Sequence, residues 1–396
     1  MSDDLRQLFL LREDLVFLNH GSFGACPRPV LDRYQELQRE LEENPVAFLD
    51  PQREFTGRMR AARQTLASFL GARRDDLVMV PNATFGLNVV ARSFDLHRGD
   101  EVVITDHAYG AVERTWRSVC ERTGARLVRA EVDLPVESED QVVEDVWSLV
   151  NDRTRVLCVD HVTSPTALVM PVRELVRRAR RAGIYSVIDG AHGPGQLDLD
   201  LDALKPDVYV GNGHKWLMAP RGAALLWARP EVQPVLEPLV VSWGWRSDTP
   251  GPSRFVDEQE WTGTRDPAAM LAVPAAIDFR RAHDWPRVIR RCHGYLREVR
   301  TEMARLTGLG PICPDDPGWF VQMATLPLPP CDPVAVKRAL EAQGVEVPVF
   351  RWRDRPYVRV SVQGYNVRAD IERFLEVMAA LLRDATLFGR QRPARC

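Results

Sequence analysis

Between about residues 75 and 230, short aliphatic and β-branched runs alternate with longer stretches whose apolar residues recur every three or four positions. A strand buried on both faces needs an unbroken apolar run, whereas a helix lying over a sheet needs only one apolar stripe. The alternation therefore predicts an α/β fold with a mostly parallel sheet flanked by helices. The predicted strands are Leu77 to Val80, Glu101 to Thr105, Arg126 to Val132, Arg155 to Val159, Tyr185 to Ile188, Asp207 to Val210 and Ala223 to Trp227. Predicted helices fill Thr84 to Phe94, Ala111 to Thr123, Glu139 to Val150 and Val172 to Ala182. Residues 229 to 268 form a loop-rich stretch with Pro230, Pro234, Pro238, Pro250 and Pro252. Beyond it come a helix (Pro286 to Leu306), a strand (Phe320 to Leu326), a helix (Pro333 to Ala342), a strand (Tyr357 to Ser361) and a last helix (Ala369 to Arg383). The expected organisation is an N-terminal segment (1–20), a large domain (21–268) and a smaller C-terminal α/β domain (269–396) ending in a basic tail, Gly389 to Cys396.

The length of 396 residues fits two domains better than one. With 52 basic and 55 acidic side chains the net charge is −3, so no overall field draws the chain to nucleic acid or an anionic membrane, and a small-molecule partner is expected. No apolar run is long enough to span a bilayer, and Met1 to Leu11 carries acidic residues where a signal peptide would be basic; the expected location is the cytoplasm. The seven cysteines are scattered without a CxxC pair, which predicts reduced thiols and no metal site. Only Lys205, Lys215 and Lys337 are lysines, so 49 of the 52 basic residues are arginine and a lysine in a patterned segment stands out.

In sheets of this kind ligands gather beyond the carboxyl ends of the strands. Asn82-Ala83-Thr84 follows one strand and opens a helix, where free amides and a hydroxyl make a phosphate site; the same residues would also serve as an ordinary helix cap. Asp189 ends another strand and leads into the glycine-rich turn Gly190 to Gly195, aiming a carboxylate at the crevice or capping the turn. Gly211-Asn212-Gly213-His214-Lys215-Trp216 follows a third, with an amine set between a histidine and the apolar Trp216-Leu217-Met218. A buried amine has a lowered pKa and becomes a nucleophile for carbonyl compounds.

Other chemistries fit poorly. Trp216 stands where a dinucleotide fingerprint needs its third glycine, and there is no P-loop, HExxH or nucleophile elbow. A phosphate cup, an aspartate and a buried lysine above one sheet are together what pyridoxal phosphate requires.

The chain resembles fold-type-I pyridoxal-phosphate enzymes of the class V aminotransferase superfamily, most closely the isopenicillin N epimerase-like branch. The likeness runs in order through Phe17 to Gly24, Asn82-Ala83-Thr84, Asp106-His107-Ala108-Tyr109, His161-Val162-Thr163-Ser164, Ile188 to His192, Gly213 to Trp216, Trp261 to Asp266 and Arg359-Val360-Ser361. By position it implies that Lys215 is the Schiff-base residue and Asp189 the partner of the pyridine nitrogen. It places His192 and Ser164 near the ring's phenolic oxygen, and Ala83, Thr84, Asn212 and His214 on the phosphate. Thr264 would come from the other subunit of a homodimer, and Arg359 would clamp the substrate carboxylate, with Asn19 and His20 beside the substrate. His107 matches the residue that stacks on the ring in cysteine desulfurases, whereas Tyr109 is the recurring feature of the epimerase branch and a candidate acid/base group.

Gly344 to Pro356 lacks the mobile cysteine a desulfurase needs, and the nearest, Cys331, lies in a proline-rich turn. The resemblance thus implies an enzyme that deprotonates the Cα of an amino acid. Cleavage of a C–S bond in an S-substituted cysteine and epimerisation stand as near equals, ahead of transamination and of oxidative or decarboxylative variants. A silent binding scaffold would be expected to lack Lys215 or Asp189, and both are present.

Overall fold

The computed structural model describes residues 5–388, so the basic tail expected over 389–396 lies outside the described residues. Among the described residues twelve strands occur in chain order: β1 (Val16–Phe17), β2 (Leu77–Val80), β3 (Glu101–Thr105), β4 (Arg126–Ala130), β5 (Thr154–Asp160), β6 (Tyr185–Gly190), β7 (Val208–Asn212), β8 (Ala224–Ala228), β9 (Met323–Pro327), β10 (Val345–Glu346), β11 (Val349–Trp352) and β12 (Arg355–Ser361). Seven of them form one sheet in the order β2-β8-β7-β6-β5-β3-β4, and only β8 runs against its neighbours. Alternate residues leave it on opposite faces: Leu77, Met79 and Val103 join one hydrophobic core, and Val78, Val80, Val102 and Ile104 the other. That double burial is why the sequence shows continuous apolar runs here. Edge strand β4 instead exposes Arg126 and Arg129, charges that discourage pairing with another sheet.

All seven predicted sheet strands are present. Three run further than their apolar stretch suggests, because the parallel ladder continues through Asp160↔Asp189, Asp189↔Val210 and Gly190↔Gly211. As a result Asp160, Asp189 and Asn212 are held on strand backbone, a firm mount for functional side chains.

In the C-terminal part, β12 lies between β11 and β9 in an antiparallel sheet, and β1 pairs with β10, tying the N-terminal residues to this region. Helix Trp285–Thr307 buries Trp285, Val288, Cys292, Leu296, Val299 and Met303 along one stripe and ends at Gly308, whose φ is +71°. Residues 20–70, where the pattern predicts no element, hold helices His20–Phe23, Arg28–Glu43, Pro45–Leu49 and Phe55–Phe69. Arg28–Glu43 buries only Val30 and Leu37, too thin an apolar stripe to stand out from its charges. The proline-rich stretch likewise contains a short helix, Arg254–Glu260, capped by the Ser253 hydroxyl. Among the described residues no disulfide joins the six cysteines, and no helix is long and apolar enough to cross a membrane.

The turn after β6 depends on a close approach. A Cβ at Gly190 or at Gly193 would fall against the Tyr209 side chain, which is fully buried on β7 and hydrogen-bonded through its hydroxyl to His161 Nδ1 at 3.0 Å. Gly190→Ala is therefore expected to lower stability by about 1–3 kcal/mol, the usual cost of overpacking. Denaturant unfolding should show a lower midpoint; an unchanged midpoint would mean that Tyr209 moves aside freely.

Candidate active site

The carboxyl ends of β2, β5, β6 and β7 bring the predicted residues to one end of the sheet. Asn82 caps helix Ala83–Ser93 by accepting from Phe85 N at 2.8 Å. Asn212, buried at the end of β7, accepts from Ala83 N at 2.9 Å. Ala83's amide is thus already used within the protein and Asn212 fastens the helix start to the sheet, whereas the Thr84 side chain is exposed. At this helix start, where the Phe85 and Gly86 amides are also taken by Asn82, the Thr84 hydroxyl and amide are the groups open to an anion.

Asp189 is buried on β6, and its Oδ1 accepts from Ala191 N at 2.9 Å. Burial pushes its carboxyl upward, opposed by that amide and by Lys215. Lys215 Nζ lies 3.1 Å from His192 Nε2, while Trp216 Nε1 donates to His192 Nδ1 at 3.1 Å. An indole N–H can only donate, so Nδ1 must accept, and the proton of the neutral imidazole resides on Nε2. Nε2–H then faces Lys215 Nζ and donates to it when the amine is neutral. Burial, reinforced by Arg359, brings the lysine pKa down to about 8, and burial also holds His192 well below its ordinary value. Asp189 and Asp160 pull the lysine the other way without overcoming desolvation.

The lysine loop is braced from behind. His20 is fully buried, with Nε2 2.9 Å from the carbonyl of Lys215 and Nδ1 3.1 Å from the Tyr365 hydroxyl. Gly24, at φ +70°, lets the N-terminal segment press against the carbonyl of His214, where any side chain would collide. His20 therefore supports the lysine instead of facing a substrate. Asn19 is also engaged, donating to Glu346 and accepting from the Ser22 hydroxyl.

Arg359 is buried on β12. Its Nη1 donates to the Ser164 carbonyl at 2.5 Å, its Nη2 donates to the Ser22 hydroxyl at 3.1 Å, and Nε has no hydrogen-bond partner among the described residues. Burial lowers its pKa to about 10, still cationic at neutral pH. Arg359 and Ser164 border a cavity of about 500 Å³ lined also by Tyr109, Glu113, Arg129, Phe350, Trp352 and Arg353. Arg353 is neutralised by Asp106 and Asp133.

Tyr109 is 49% exposed at this cavity, whereas His107 is 0% exposed. Both ring nitrogens of His107 are occupied, by Thr166 Oγ1 at 2.6 Å and the Val132 carbonyl at 2.8 Å, and Trp352 packs 4.6 Å from its ring. The two hydrogen bonds fix the plane of the His107 ring, and the ring is fully buried with Trp352 tilted against it. Thr264 is exposed in the loop after helix Arg254–Glu260 and does not line the cavity. Sequence reasoning misses Asp160, Ser22 and the Trp216 indole; for Asp160 its place at the end of a strand is the available signal.

These residues fit pyridoxal phosphate. Lys215 is a buried amine of lowered pKa beside His192, Asp189 offers a buried carboxylate, Thr84 opens an anion site, and the buried atoms His214 Nδ1 and Arg359 Nε lack partners among the described residues. Among the described residues no cluster of ligating side chains suits a metal.

An isopenicillin N epimerase of Amycolatopsis lactamdurans is 38% identical over 379 residues, which cover 92% of this chain and 94% of that protein. A probable chloroplastic L-cysteine desulfhydrase of Arabidopsis thaliana is 29% identical over 411 residues, covering 94% of this chain and 84% of that protein. An apo cysteine desulfurase from Thermococcus onnurineus NA1 has the same fold, with a TM-score of 0.81 at 20% identity, covering 96% of this chain and 97% of that one. A family model described as aminotransferase class-V matches residues 16–374. The chain belongs to the class-V aminotransferase family and is a pyridoxal-phosphate-dependent enzyme.

Proposed function

We propose that the enzyme deprotonates the Cα of an S-substituted cysteine and cleaves its Cβ–S bond. The carrying observation is a buried Lys215, its pKa lowered to about 8 by burial and by nearby Arg359, with Arg359 bordering a cavity that has no cysteine in its lining. Arg359 clamps the substrate carboxylate and fixes which Cα bond faces the lysine. Lys215 would hold the cofactor's aldehyde and, when its amine is free, is placed to take the Cα proton, with His192 Nε2–H orienting its Nζ. Pyridoxal phosphate, when bound, supplies the sink for the electron pair freed at Cα. The Cβ–S bond then breaks with its electron pair leaving on sulfur, as a thiol once protonated. Hydrolysis of the remaining enamine-level product gives pyruvate and ammonia. Cys331 is only half-buried but does not line the cavity, and burial raises its pKa, so sulfur leaves as a small molecule instead of passing to the protein. The desulfhydrase likeness supports this reading.

Epimerisation is the second reading. It is favoured by the likeness to two isopenicillin N epimerases and by Tyr109, whose exposed hydroxyl provides a second acid/base group at the cavity. Thr264, exposed and away from the cavity lining, is assigned to the site of a second subunit in a homodimer.

Incubation with a panel of S-substituted cysteines separates the two reactions. Pyruvate and free thiol in equal amounts are the expected result. Inversion and Cα exchange in heavy water without cleavage would replace the lyase reading by the epimerase one.

A further inference from the structure

The cavity bordered by Arg359 has more room and more positive charge than the reacting end of an amino acid uses. Lys215, Asp189, His192 and Thr84 do not line it, so its volume of about 500 Å³ is additional to the space those residues leave for the cofactor. That size lies within the ~300–1,000 Å³ typical of sites that enclose whole small molecules. The thiol of free cysteine would leave most of it empty.

The walls are apolar on one side. Phe350 and Trp352 alternate along β11 and so share a face, with Pro165 and Pro348 completing the surface. Most of the charged groups at the cavity are already matched. Arg353 is neutralised by Asp106 and Asp133, and Glu113 is paired with Arg117 one turn further along helix Gly110–Thr123. Arg129 differs. It is exposed on edge strand β4, and whereas Arg126 on the same strand reaches Glu101 at 3.5 Å, Arg129 has no carboxylate partner among the described residues. Once the matched pairs are set aside, two cations remain at the cavity, Arg359 and Arg129.

We propose that Arg129 is a specificity-determining residue: it binds a second carboxylate, carried at the far end of the S-substituent, while Arg359 holds the α-carboxylate. The substrate class is then the S-(carboxyalkyl)cysteines. A guanidinium without a counter-ion presents a fork of N–H groups that matches a carboxylate, and the Phe350 and Trp352 face receives the methylene chain between the two ends. Because Arg129 is exposed, water screens the pair, so its effect is roughly fivefold in affinity, well short of that of a buried pair. A contact remote from Cα is equally strong before and during bond breaking, so it acts on KM and not on kcat. The proposal rests on the reading of this cavity as the substrate's and deepens it.

The holoenzyme is compared on two matched pairs: S-(carboxymethyl)-L-cysteine against S-(carbamoylmethyl)-L-cysteine, and S-(2-carboxyethyl)-L-cysteine against S-(2-carbamoylethyl)-L-cysteine. Within a pair the charge changes and the size hardly does. Pyruvate and thiol release give kcat and KM, and the change in the visible absorbance of the bound cofactor reports binding even where no bond breaks. At least one carboxylate is expected to bind roughly fivefold or more tightly than its amide, an advantage that shrinks at high salt. Arg129→Gln should erase that advantage through KM, and Arg129→Lys should restore part of it; replacing an exposed side chain on an edge strand leaves the core undisturbed. Preferential binding of the carboxylates without cleavage would remove the lyase reading and leave the subsite standing. Cleavage of both members of each pair without preference, or a preference that survives Arg129→Gln, would overturn the subsite and leave the lyase reading intact. An absorbance that responds to none of the compounds would overturn both.

Discussion

Lys215→Ala is expected to abolish covalent retention of pyridoxal phosphate and to lower turnover by a factor on the order of 10³ or more. The protein as isolated should show a visible absorbance band that borohydride bleaches while fixing the cofactor to the chain; the variant should release the cofactor on gel filtration. Lys205 is in a left-handed turn after helix Leu201–Leu204, and Lys337 is on a helix in an ion pair with Glu341, so neither replaces the missing amine. The same lysine sets a pH dependence. Only the neutral amine attacks an aldehyde, and with a pKa of about 8 instead of 10.5 the neutral fraction at pH 7 is larger by about 300-fold. Capture of added cofactor should accelerate as pH rises through about 8 and level off above it. Stopped-flow absorbance would measure this; a rate still climbing near pH 10 would show that burial does not depress the amine. A stable covalent adduct in Lys215→Ala would remove the basis for the assignment altogether.

Much of this site is legible in the sequence alone. A parallel sheet makes its strands conspicuous, because burial on both faces forbids polar residues within them, and every chemically useful residue then stands where an apolar run stops. Asp189, Asn212 and Lys215 stand out in that way. Asp160 obeys the same rule but escapes notice, since an aspartate followed by histidine reads as the beginning of a turn. Only the ladder shows it opposite Asp189. For His107 the sequence could not show what fixes its ring: Thr166 and the Val132 carbonyl occupy its two ring nitrogens, and both come from segments distant in sequence. Arg359 illustrates the opposite case. It is one of 49 arginines, and its alternation with Val358 and Val360 is enough to aim it inward. Ser22, from the other end of the chain, reaches it only because β1 pairs with β10 and Asn19 bridges to Ser361. Long-range contacts of that sort leave no periodic trace.

Asp189→Asn probes the other half of the site. The amide still offers an oxygen to Ala191 N, which Asp189 Oδ1 now holds at 2.9 Å, so β6 and its turn should survive. What disappears is the negative charge that stabilises a proton on the cofactor's ring nitrogen, in a buried place where water cannot substitute for it. Removing one partner of a buried charge pair costs about 3–5 kcal/mol, and turnover should fall by roughly 10²–10³-fold. Lys215 is untouched, so the visible band and borohydride trapping should persist, unlike in Lys215→Ala. This combination of retained cofactor and lost rate separates an electronic role from a structural one. Turnover within about threefold of the unsubstituted enzyme, with cofactor fully bound, would show that the proton is held by another group or that the reaction does not need it.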